Sequence, residues 1–286
     1  MNKRALWIGL VAVAVIGLII LISKTSNKPE PVPTPSPSPS VQYEIIGKSV
    51  EGRNIESYTY GAGDEHLVFI GGIHGGYEWN SVVLAYNAMD YLETNKESIP
   101  ENLKITIIPS MNPDGVYKVL GKEGRISEKD AKPTEETIPG RFNAHNVDLN
   151  RNFDCKWQPE STWRGNKVSA GTSAFSEPEA QAIRDYMLKE HPSAVVFWHS
   201  QAGEVYTSEC EDGISDETRN LMKTYAKASG YKESETFDYY AVTGDAEGWL
   251  ARVGIPTITV ELKTHENVEW DRNLAGMKSI INYYGK

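Results

Sequence analysis

Basic charge is scarce in this sequence of 286 residues. Lysine and arginine number 29 against 39 aspartates and glutamates, which gives a net charge of -10. Proteins that bind nucleic acids need basic patches, so this balance argues against that class of function. An acidic surface instead favours basic or neutral substrates. The sequence also lacks an internal repeat.

Cysteine is nearly absent, with only Cys155 and Cys210 present. An even count permits one disulfide bond, and the alternative is two buried free thiols. A stable disulfide requires an oxidising compartment. Because the two cysteines follow the segments of Arg151 and His199, both of them candidate site segments, we expect the pair to lie close together. We therefore predict, as a hypothesis, that they are bonded.

An apolar run of 18 residues, 5–22, follows a basic N-terminal segment. This length is near the lower limit for a membrane-spanning helix, and the preceding positive charge predicts a cytoplasmic N-terminus. The alternative is a cleaved signal peptide, but no good small-x-small cleavage site follows the run, and no nearby cysteine offers a lipid anchor. We expect a cytoplasmic tail at 1–4 and a transmembrane helix at 5–23, with the remainder outside the cell.

Residues 24–41 are rich in proline and serine and have almost no apolar surface to bury. Such a segment cannot fold by itself. Alternating proline favours polyproline II at ~3.1 Å per residue, so about a dozen residues reach roughly 40 Å. We expect this linker to act as a spacer between membrane and domain. It is too short to cover a site as an inhibitory propeptide.

Residues 42–286 are long enough for one large α/β domain. Apolar runs bounded by turn residues predict strands at 42–60 (two strands, with a turn at 51–54), 67–70, 103–109, 194–198 and 256–262. Helical periodicity predicts helices at 82–92, 177–190, 214–229 and 267–284. Ser176 and Glu179 have the spacing of a capping box. The alternation predicts a mixed, mostly parallel twisted sheet flanked by helices.

A glycine-rich turn at residues 71–81 carries His74 and Glu78 between a predicted strand and a helix. Ligands bind at such carboxyl ends of strands in open α/β sheets. Imidazole nitrogen and carboxylate oxygen suit zinc, which takes three protein ligands and a water in catalytic sites. His199, at the end of the strand 194–198, is the candidate third ligand. The alternatives are a purely structural turn and a hydrogen-bonded core histidine.

The four remaining histidines lie in polar loops or at the ends of predicted elements, and they are His66, His145, His191 and His265. We expect them to be solvated. His145 and His265 flank candidate site segments, which makes them the less certain members of this group.

The turn resembles the zinc-site signature of the zinc metallocarboxypeptidases of the carboxypeptidase A and B type, His-x-x-Glu followed by Trp. Glu78 follows His74 by four residues instead of three, and Gly75 and Gly76 can absorb the extra residue. The family's motifs occur in order from about residue 43 to 280. The resemblance implies the family's fold, one Zn²⁺ per chain held by His74, Glu78 and His199, and a peptide substrate with a free C-terminal carboxylate.

The resemblance also implies roles for residues outside the metal set. Asn150 and Arg151 match the pair that grips the terminal carboxylate, for which a planar guanidinium is well suited. Arg141 matches the arginine that polarises the scissile carbonyl. Glu261 matches the general base, and a lone carboxylate on an apolar strand is costly without a function or a partner. Structural ion pairs are the alternative for Arg151 and Glu261.

Two further positions concern substrate binding. Tyr240, with Tyr239 as the alternate, matches a mobile tyrosine that closes over the bound carboxylate. Glu247 lies near the family position that sets the pocket for the terminal side chain, where an acid would prefer lysine, arginine or the amino group of diaminopimelate. The alternative is that Glu247 and Asp245 only begin a helix, since carboxylates are favoured there by the helix dipole.

These features predict a membrane-anchored zinc carboxypeptidase with its catalytic domain at 42–286. Its expected substrates are extracellular or cell-wall peptides, including peptidoglycan stem peptides, with a preference for basic terminal residues. One alternative is a zinc amidohydrolase that removes acyl groups from N-acyl amino acids. Another is a non-catalytic wall-binding module.

Overall fold

The computed structural model describes residues 41–286, so the predicted tail, the membrane anchor and almost all of the linker lie outside the described residues. Within 41–286, no helix combines the length and the apolar character needed to cross a bilayer.

Ten strands are present in residues 41–286. They are β1 (Gln42–Lys48), β2 (Asn54–Gly61), β3 (Glu65–Ile70), β4 (Leu103–Ile108), β5 (Glu160–Trp163), β6 (Asn166–Ser169), β7 (Ala194–Ser200), β8 (Glu204–Thr207), β9 (Lys232–Ser234) and β10 (Thr257–Leu262). The same part of the chain forms seven α-helices. They are α1 (Trp79–Thr94), α2 (Pro113–Leu120), α3 (Thr134–Thr137), α4 (Pro178–Glu190), α5 (Asp216–Ser229), α6 (Ala246–Arg252) and α7 (Trp270–Tyr284).

Eight strands form one sheet in the order β1-β2-β4-β3-β7-β10-β8-β9, while β5 and β6 form a separate hairpin. The pairs β3–β4, β3–β7, β7–β10 and β8–β9 are parallel. The pairs β1–β2, β2–β4 and β8–β10 are antiparallel. The predicted mixed sheet with a parallel centre is confirmed, and the carboxyl ends of β3, β7 and β10 meet at one edge.

Side chains of the central strand β7 alternate between two hydrophobic cores. Val196 and Trp198 enter the core that contains side chains of α1, α5 and α7. Val195 and Phe197 enter the core on the other face, with side chains of α4 and α6. Because strand side chains alternate with a period of two, His199 continues the face of Val195 and Phe197.

The predicted strands and helices are confirmed with end shifts of up to three residues. The predicted capping box is wrong. Pro178 opens α4, and the N-cap residue Glu177 makes no side-chain cap bond. Ser176 donates from its hydroxyl to Glu177 instead, and Glu179 accepts from the Val50 amide at 3.0 Å. Proline is favoured at the first helical position because its missing N–H is not needed there.

Candidate active site

Two glycines of the turn between β3 and α1 lie where a side chain would clash with its neighbours or strain the backbone. A Cβ atom on Gly71 would lie 2.5 Å from the Ser81 carbonyl oxygen, and Gly72 has a φ of 67°. The Ser81 hydroxyl accepts from the Gly72 amide at 3.0 Å and donates to the Glu78 carbonyl oxygen at 2.7 Å. These contacts fix the backbone that carries Glu78.

His74 and Glu78 lie on this turn, and both side chains are buried. Residues Gly75–Glu78 form a short 3-10 helix in which Gly75 has a φ of 46°, a conformation that glycine adopts without strain. The Nδ1 atom of His74 lies 2.8 Å from Oε1 of Glu78. The turn therefore absorbs the one-residue-longer spacing.

His199 reaches the same point from β7. Its Nδ1 atom lies 3.2 Å from Oε2 of Glu78, and its ring centroid is 5.0 Å from that of His74. Ligand atoms of the three residues all lie within 4.8 Å of one another. Two imidazole nitrogens and one carboxylate oxygen form a known donor set for catalytic zinc. The Oε2 atom of Glu78 is buried without a hydrogen-bond partner in residues 41–286, as expected of a metal ligand.

A carboxylate lies next to the Nε2 atom of each imidazole ring, on the side away from Glu78. Nε2 of His74 lies 3.4 Å from Oδ1 of Asp148, and Nε2 of His199 lies 2.9 Å from Oε1 of Glu247. Such outer partners orient metal-binding histidines, and here they leave both Nδ1 atoms facing Glu78. Burial alone would raise the pKa of Glu78, but His74 and His199 outweigh burial and hold this pKa well below its usual range. The three residues thus fit zinc by donor type, placement and orientation.

Arg141 is buried next to Asp148 and donates to its Oδ2 through Nε at 3.0 Å and Nη2 at 2.8 Å. Its Nη1 atom lies 3.8 Å from Oε1 of Glu78. Burial would raise the pKa of Asp148, but the Arg141 cation outweighs burial and keeps that pKa well below its usual range. Arg141 is therefore a fixed cation beside the metal ligands. Sequence reasoning missed Asp148, although it stands only two positions before Asn150.

Glu261 lies on β10 directly opposite His199 in the parallel register. Its Oε2 atom is buried and has no hydrogen-bond partner in the described part of the chain. Burial raises the pKa of Glu261 to about 8, against the opposing charge of His199. A bound cation would lower this pKa again. Near neutral pH such a carboxyl group can both accept and deliver a proton, which is what general acid–base catalysis requires.

A cavity of about 340 Å³ opens beside the metal ligands and is lined by Asn150 and Arg151 among others. Arg151 is only 2 % exposed, and no carboxylate in residues 41–286 forms a salt bridge with it. Its Nη1 donates to the Asn150 carbonyl oxygen at 2.6 Å, and its buried Nε has no partner in this region. A buried cation with no directly paired carboxylate is costly, so a ligand carboxylate is its expected partner.

The two candidate tyrosines differ in their surroundings. Tyr240 lines the cavity, and its ring centroid lies 5.9 Å from Cζ of Arg151. Tyr239 is 67 % exposed. The structure therefore brings Tyr240, rather than its neighbour, to the candidate carboxylate site.

Asp245 and Glu247 also differ in what they contact. Asp245 is the N-cap residue of α6 and accepts from the Gly248 amide at 2.7 Å. Glu247 is buried and lines the cavity, where its carboxylate meets His199. Beginning the helix is thus the role of Asp245. The role of Glu247 in selecting a terminal side chain stays a prediction.

The expectation that the remaining histidines are solvated is wrong for two of them. His66 is 3 % exposed in β3, with Nε2 at 2.8 Å from Oγ1 of Thr106. His265 is buried, with Nδ1 at 2.7 Å from Oγ of Ser200 and its ring 4.3 Å from that of Tyr77. The other two are exposed. The burial of these two histidines could not be inferred from their polar sequence neighbours, because the residues that contact them come from distant segments.

Cys155 and Cys210 form a disulfide with a Cα–Cα distance of 5.8 Å, which confirms the predicted pairing. Cys155 lines the cavity near Arg151. The bond therefore ties the segment that carries the candidate carboxylate site to the loop that follows β8.

Comparisons with known proteins identify the family. The family model described as zinc carboxypeptidase, Peptidase_M14, matches residues 36–277. The gamma-D-glutamyl-L-diamino acid endopeptidase 1 of Lysinibacillus sphaericus is 25% identical over 78% of this chain and 60% of its own length. Carboxypeptidase B of Astacus astacus is 26% identical over 74% of this chain and 75% of its own length. The chain thus spans three-fifths to three-quarters of these two relatives.

Solved structures show the same fold. Murein-tripeptide amidase from Escherichia coli O157 aligns with a TM-score of 0.64 and 22% identity, covering 87% of this chain and 94% of that protein. Bovine thrombin-activatable fibrinolysis inhibitor aligns with a TM-score of 0.68 and 19% identity, covering 85% and 90%. Because the family model spans most of the chain and the zinc-binding geometry is in place, the chain belongs to the zinc carboxypeptidase family, a family of zinc-dependent hydrolases.

Proposed function

We propose that this protein is a zinc metallocarboxypeptidase that hydrolyses the C-terminal peptide bond of extracellular or cell-wall peptides. The supporting observation is the buried guanidinium of Arg151, which has no carboxylate partner in residues 41–286 and lines the same cavity as His74, His199 and Glu261. A free C-terminal carboxylate can bind such a guanidinium through two parallel hydrogen bonds. Anchored there, a peptide presents its last peptide bond to the metal ligands.

The surrounding residues support hydrolysis. His74, Glu78 and His199 would hold zinc, which when bound would act as a Lewis acid and lower the pKa of a water molecule. Glu261 accepts a proton from the attacking water and delivers it to the departing amine. The Nη1 group of Arg141 donates to the carbonyl oxygen as negative charge develops on that atom.

Metal analysis combined with a peptide-library digest, read by mass spectrometry, tests the proposal. We expect about one zinc per chain and the removal of single C-terminal residues. His199→Ala should abolish stoichiometric zinc and cleavage, while His145→Ala, which removes an exposed imidazole, should change neither. Unchanged zinc in the His199 variant, or purely internal cleavage by the wild type, would contradict the proposal.

Preference for a basic terminal residue is the finer part of the proposal. It is supported by Glu247 and by other carboxylates that line the same cavity, namely Glu209, Glu235, Asp238 and Asp245. A charge-assisted contact in a partly desolvated pocket is worth about 1.5–3 kcal/mol, or roughly ten- to a hundredfold in kcat/KM. Matched peptides ending in Lys or Leu measure this ratio on wild type and on Glu247→Gln.

The Lys-to-Leu ratio should shrink in the Glu247 variant. Any loss that acts through His199 affects both peptides equally and cancels in the ratio. A wild type that prefers Leu, or a variant that keeps the Lys preference, places the side-chain pocket elsewhere.

A second candidate is cleavage of an amide bond within murein peptides. It is favoured by two similar proteins, one named an endopeptidase for gamma-D-glutamyl-L-diamino acids and the other a murein-tripeptide amidase. A panel containing a linear peptide, a murein tripeptide and an N-acyl amino acid separates this activity from carboxypeptidase and deacylase activity. The compound with the highest kcat/KM identifies the reaction.

We also propose that the catalytic domain lies outside the cell, anchored through a single membrane helix at residues 5–23. The support comes from the basic N-terminus, the apolar run and the proline-rich spacer in the sequence, together with the disulfide. Fractionation of cells followed by protease treatment of intact spheroplasts tests it. Recovery of the full-length chain in the soluble cytoplasmic fraction would contradict it.

A further inference from the structure

A second cavity, of about 470 Å³, opens on the candidate metal site. It shares His74, Arg141, Tyr240 and Glu261 with the first cavity, so the reacting bond borders both spaces. Of the two cavities, Arg151 lines only the first. If the carboxylate end of the substrate lies at Arg151, the acyl side of the scissile bond extends into the second cavity.

The two cavities differ in charge. The first is lined by five carboxylates in addition to Glu261. The second is lined by the cations Arg164 and Lys263, and its only carboxylates are Glu78 and Glu261 of the reaction site. Neither Arg164 nor Lys263 has a salt-bridge partner within residues 41–286, although acidic residues outnumber basic ones in this protein. Both residues are exposed, and two cations that line one cavity without salt-bridge partners favour an anionic ligand.

Arg164 occupies a backbone position at which arginine is unusual. It forms the two-residue turn of the β5–β6 hairpin with Gly165, and their φ angles are 49° and 78°. A hairpin turn with two positive φ angles favours Asn-Gly, because side chains other than asparagine and aspartate are strained there. Strain of this kind is often found at functional sites. The turn therefore carries the Arg164 guanidinium although another residue, such as asparagine, would stabilise the hairpin more.

The hairpin is fixed at the reaction site through Trp163. The ring of Trp163 lies 5.3 Å from that of Tyr77 and 4.6 Å from Cζ of Arg141. The Arg164 guanidinium lies 5.6 Å from the Trp163 ring. Lys263 is the first residue after β10 and follows Glu261 by two positions, so the second cation lies next to the strand that carries the candidate base.

We propose that Arg164 and Lys263 form a subsite for a carboxylate on the acyl side of the scissile bond, so that the enzyme selects substrates with a glutamyl or aspartyl group there. This inference rests on the proposed hydrolase function. The carboxylate can belong to the side chain of an α-linked acidic residue or to the free α-carboxyl of a γ-linked glutamyl residue. Both carboxylates carry the same charge. They differ in which carboxyl group of the residue forms the scissile bond, the α-carboxyl in the first case and the side-chain carboxyl in the second.

Two matched peptide pairs test the subsite and separate the two sources. The first pair is acetyl-Ala-Glu-Lys and acetyl-Ala-Gln-Lys. The second is acetyl-Ala-γ-D-glutamyl-Lys and the same compound with its α-carboxyl converted to a carboxamide. In at least one pair, wild type should favour the charged member about fivefold in kcat/KM, the upper end for contacts in a solvent-accessible site.

Arg164→Asn and Lys263→Gln should each reduce this preference. Asparagine suits the turn, so the melting temperature of Arg164→Asn should be unchanged or higher, which separates loss of charge from misfolding. The control is Lys167→Gln, on the same hairpin, whose ammonium pairs with Glu160 and does not line the cavity. It should keep the wild-type preference.

Equal rates within both pairs, or a preference that survives both cation substitutions, would overturn the subsite while leaving the hydrolase function intact. The proposed function fails if zinc-loaded wild type cleaves neither the peptide library nor any of the four compounds. The subsite is then decided by the dissociation constants of the four compounds for zinc-loaded Glu261→Gln. Tighter binding of the charged members supports it, and equal binding overturns it.

Discussion

The Nε2 atom of His199 lies 2.9 Å from Oε1 of Glu247, on the ring edge opposite Glu78. A carboxylate in this position fixes the orientation of the ring and increases its basicity as a metal ligand. Glu247 therefore contacts a candidate metal ligand and lines the candidate substrate cavity at the same time.

Glu247→Ala is expected to weaken zinc binding by about ten- to a hundredfold, the usual cost of removing such a partner. Glu247→Gln should lie between this variant and wild type, because its amide oxygen still accepts a hydrogen bond. Competition with a zinc chelator measures both dissociation constants. Glu209→Ala removes another carboxylate from the same cavity and should leave them unchanged, and an unaltered zinc affinity in Glu247→Ala would assign Glu247 to substrate binding alone.

Glu261→Gln should keep its zinc and its affinity for substrate but lose at least ~10²–10⁴ in kcat, since the amide cannot act as a base. Zinc content, substrate binding and single-turnover rates measure the three properties separately. Glu266→Gln, which changes an exposed carboxylate that lines neither cavity, is the matched control. Near-normal turnover in the Glu261 variant would transfer the proton-transfer role to another carboxylate.

His66 predicts a loss of stability in acid. Burial, assisted by Lys104, lowers the pKa of His66 from 6.5 to about 4 in the folded protein. Between these values the unfolded chain binds more protons than the folded one, so the free energy of unfolding falls as the pH is lowered through this window. The difference corresponds to ~3 kcal/mol at the acid end.

Urea unfolding of wild type and His66→Gln between pH 7 and pH 4 measures this contribution. Gln retains a hydrogen-bonding group opposite Thr106 but does not titrate. The difference in stability between the two proteins should move in favour of the variant as the pH falls. Parallel stability curves would show that His66 is not the group responsible.

The disulfide between Cys155 and Cys210 closes a loop with a sequence separation of 55. Loop-closure entropy predicts that a Cys155→Ala, Cys210→Ala double variant loses about 4 kcal/mol of unfolding free energy. Denaturant unfolding with and without reductant measures this loss, and reductant should not affect the variant. Two thiols labelled in the unreduced, denatured wild type would show that the bond does not form.

The proximity of the candidate site residues could be predicted from sequence because they stand at the ends of apolar strands. His74 follows β3, His199 lies at the end of β7 and Glu261 at the end of β10. Adjacent parallel strands bring such ends together regardless of the length and path of the connecting loops. Asp148 and His265 were not predicted as site residues, because their contacts depend on loops whose paths the local sequence does not specify.

The same limit explains the other differences. His66 bonds Thr106 on a neighbouring strand, and the Thr106 hydroxyl also accepts from Tyr186, which lies on a helix on one face of the sheet. The β5–β6 hairpin was not predicted, since each of its short strands has only one buried residue and no strong apolar pattern. Ser176 has the spacing of a cap, but a network of side chains from Asn152 and Glu177 holds its hydroxyl instead.

Glu261 and His199 are paired across two hydrogen-bonded strands of the main sheet, so their relative position does not depend on the surrounding loops. The spacing between base and metal ligand is set by the ladder between the strands, ~4.8 Å. The hairpin that carries Trp163 and Arg164 lies outside that sheet. Exchanging the hairpin turn for one of another charge should therefore redirect the enzyme toward different peptides without rebuilding its reaction centre, which makes this turn a favourable target for directed evolution of specificity.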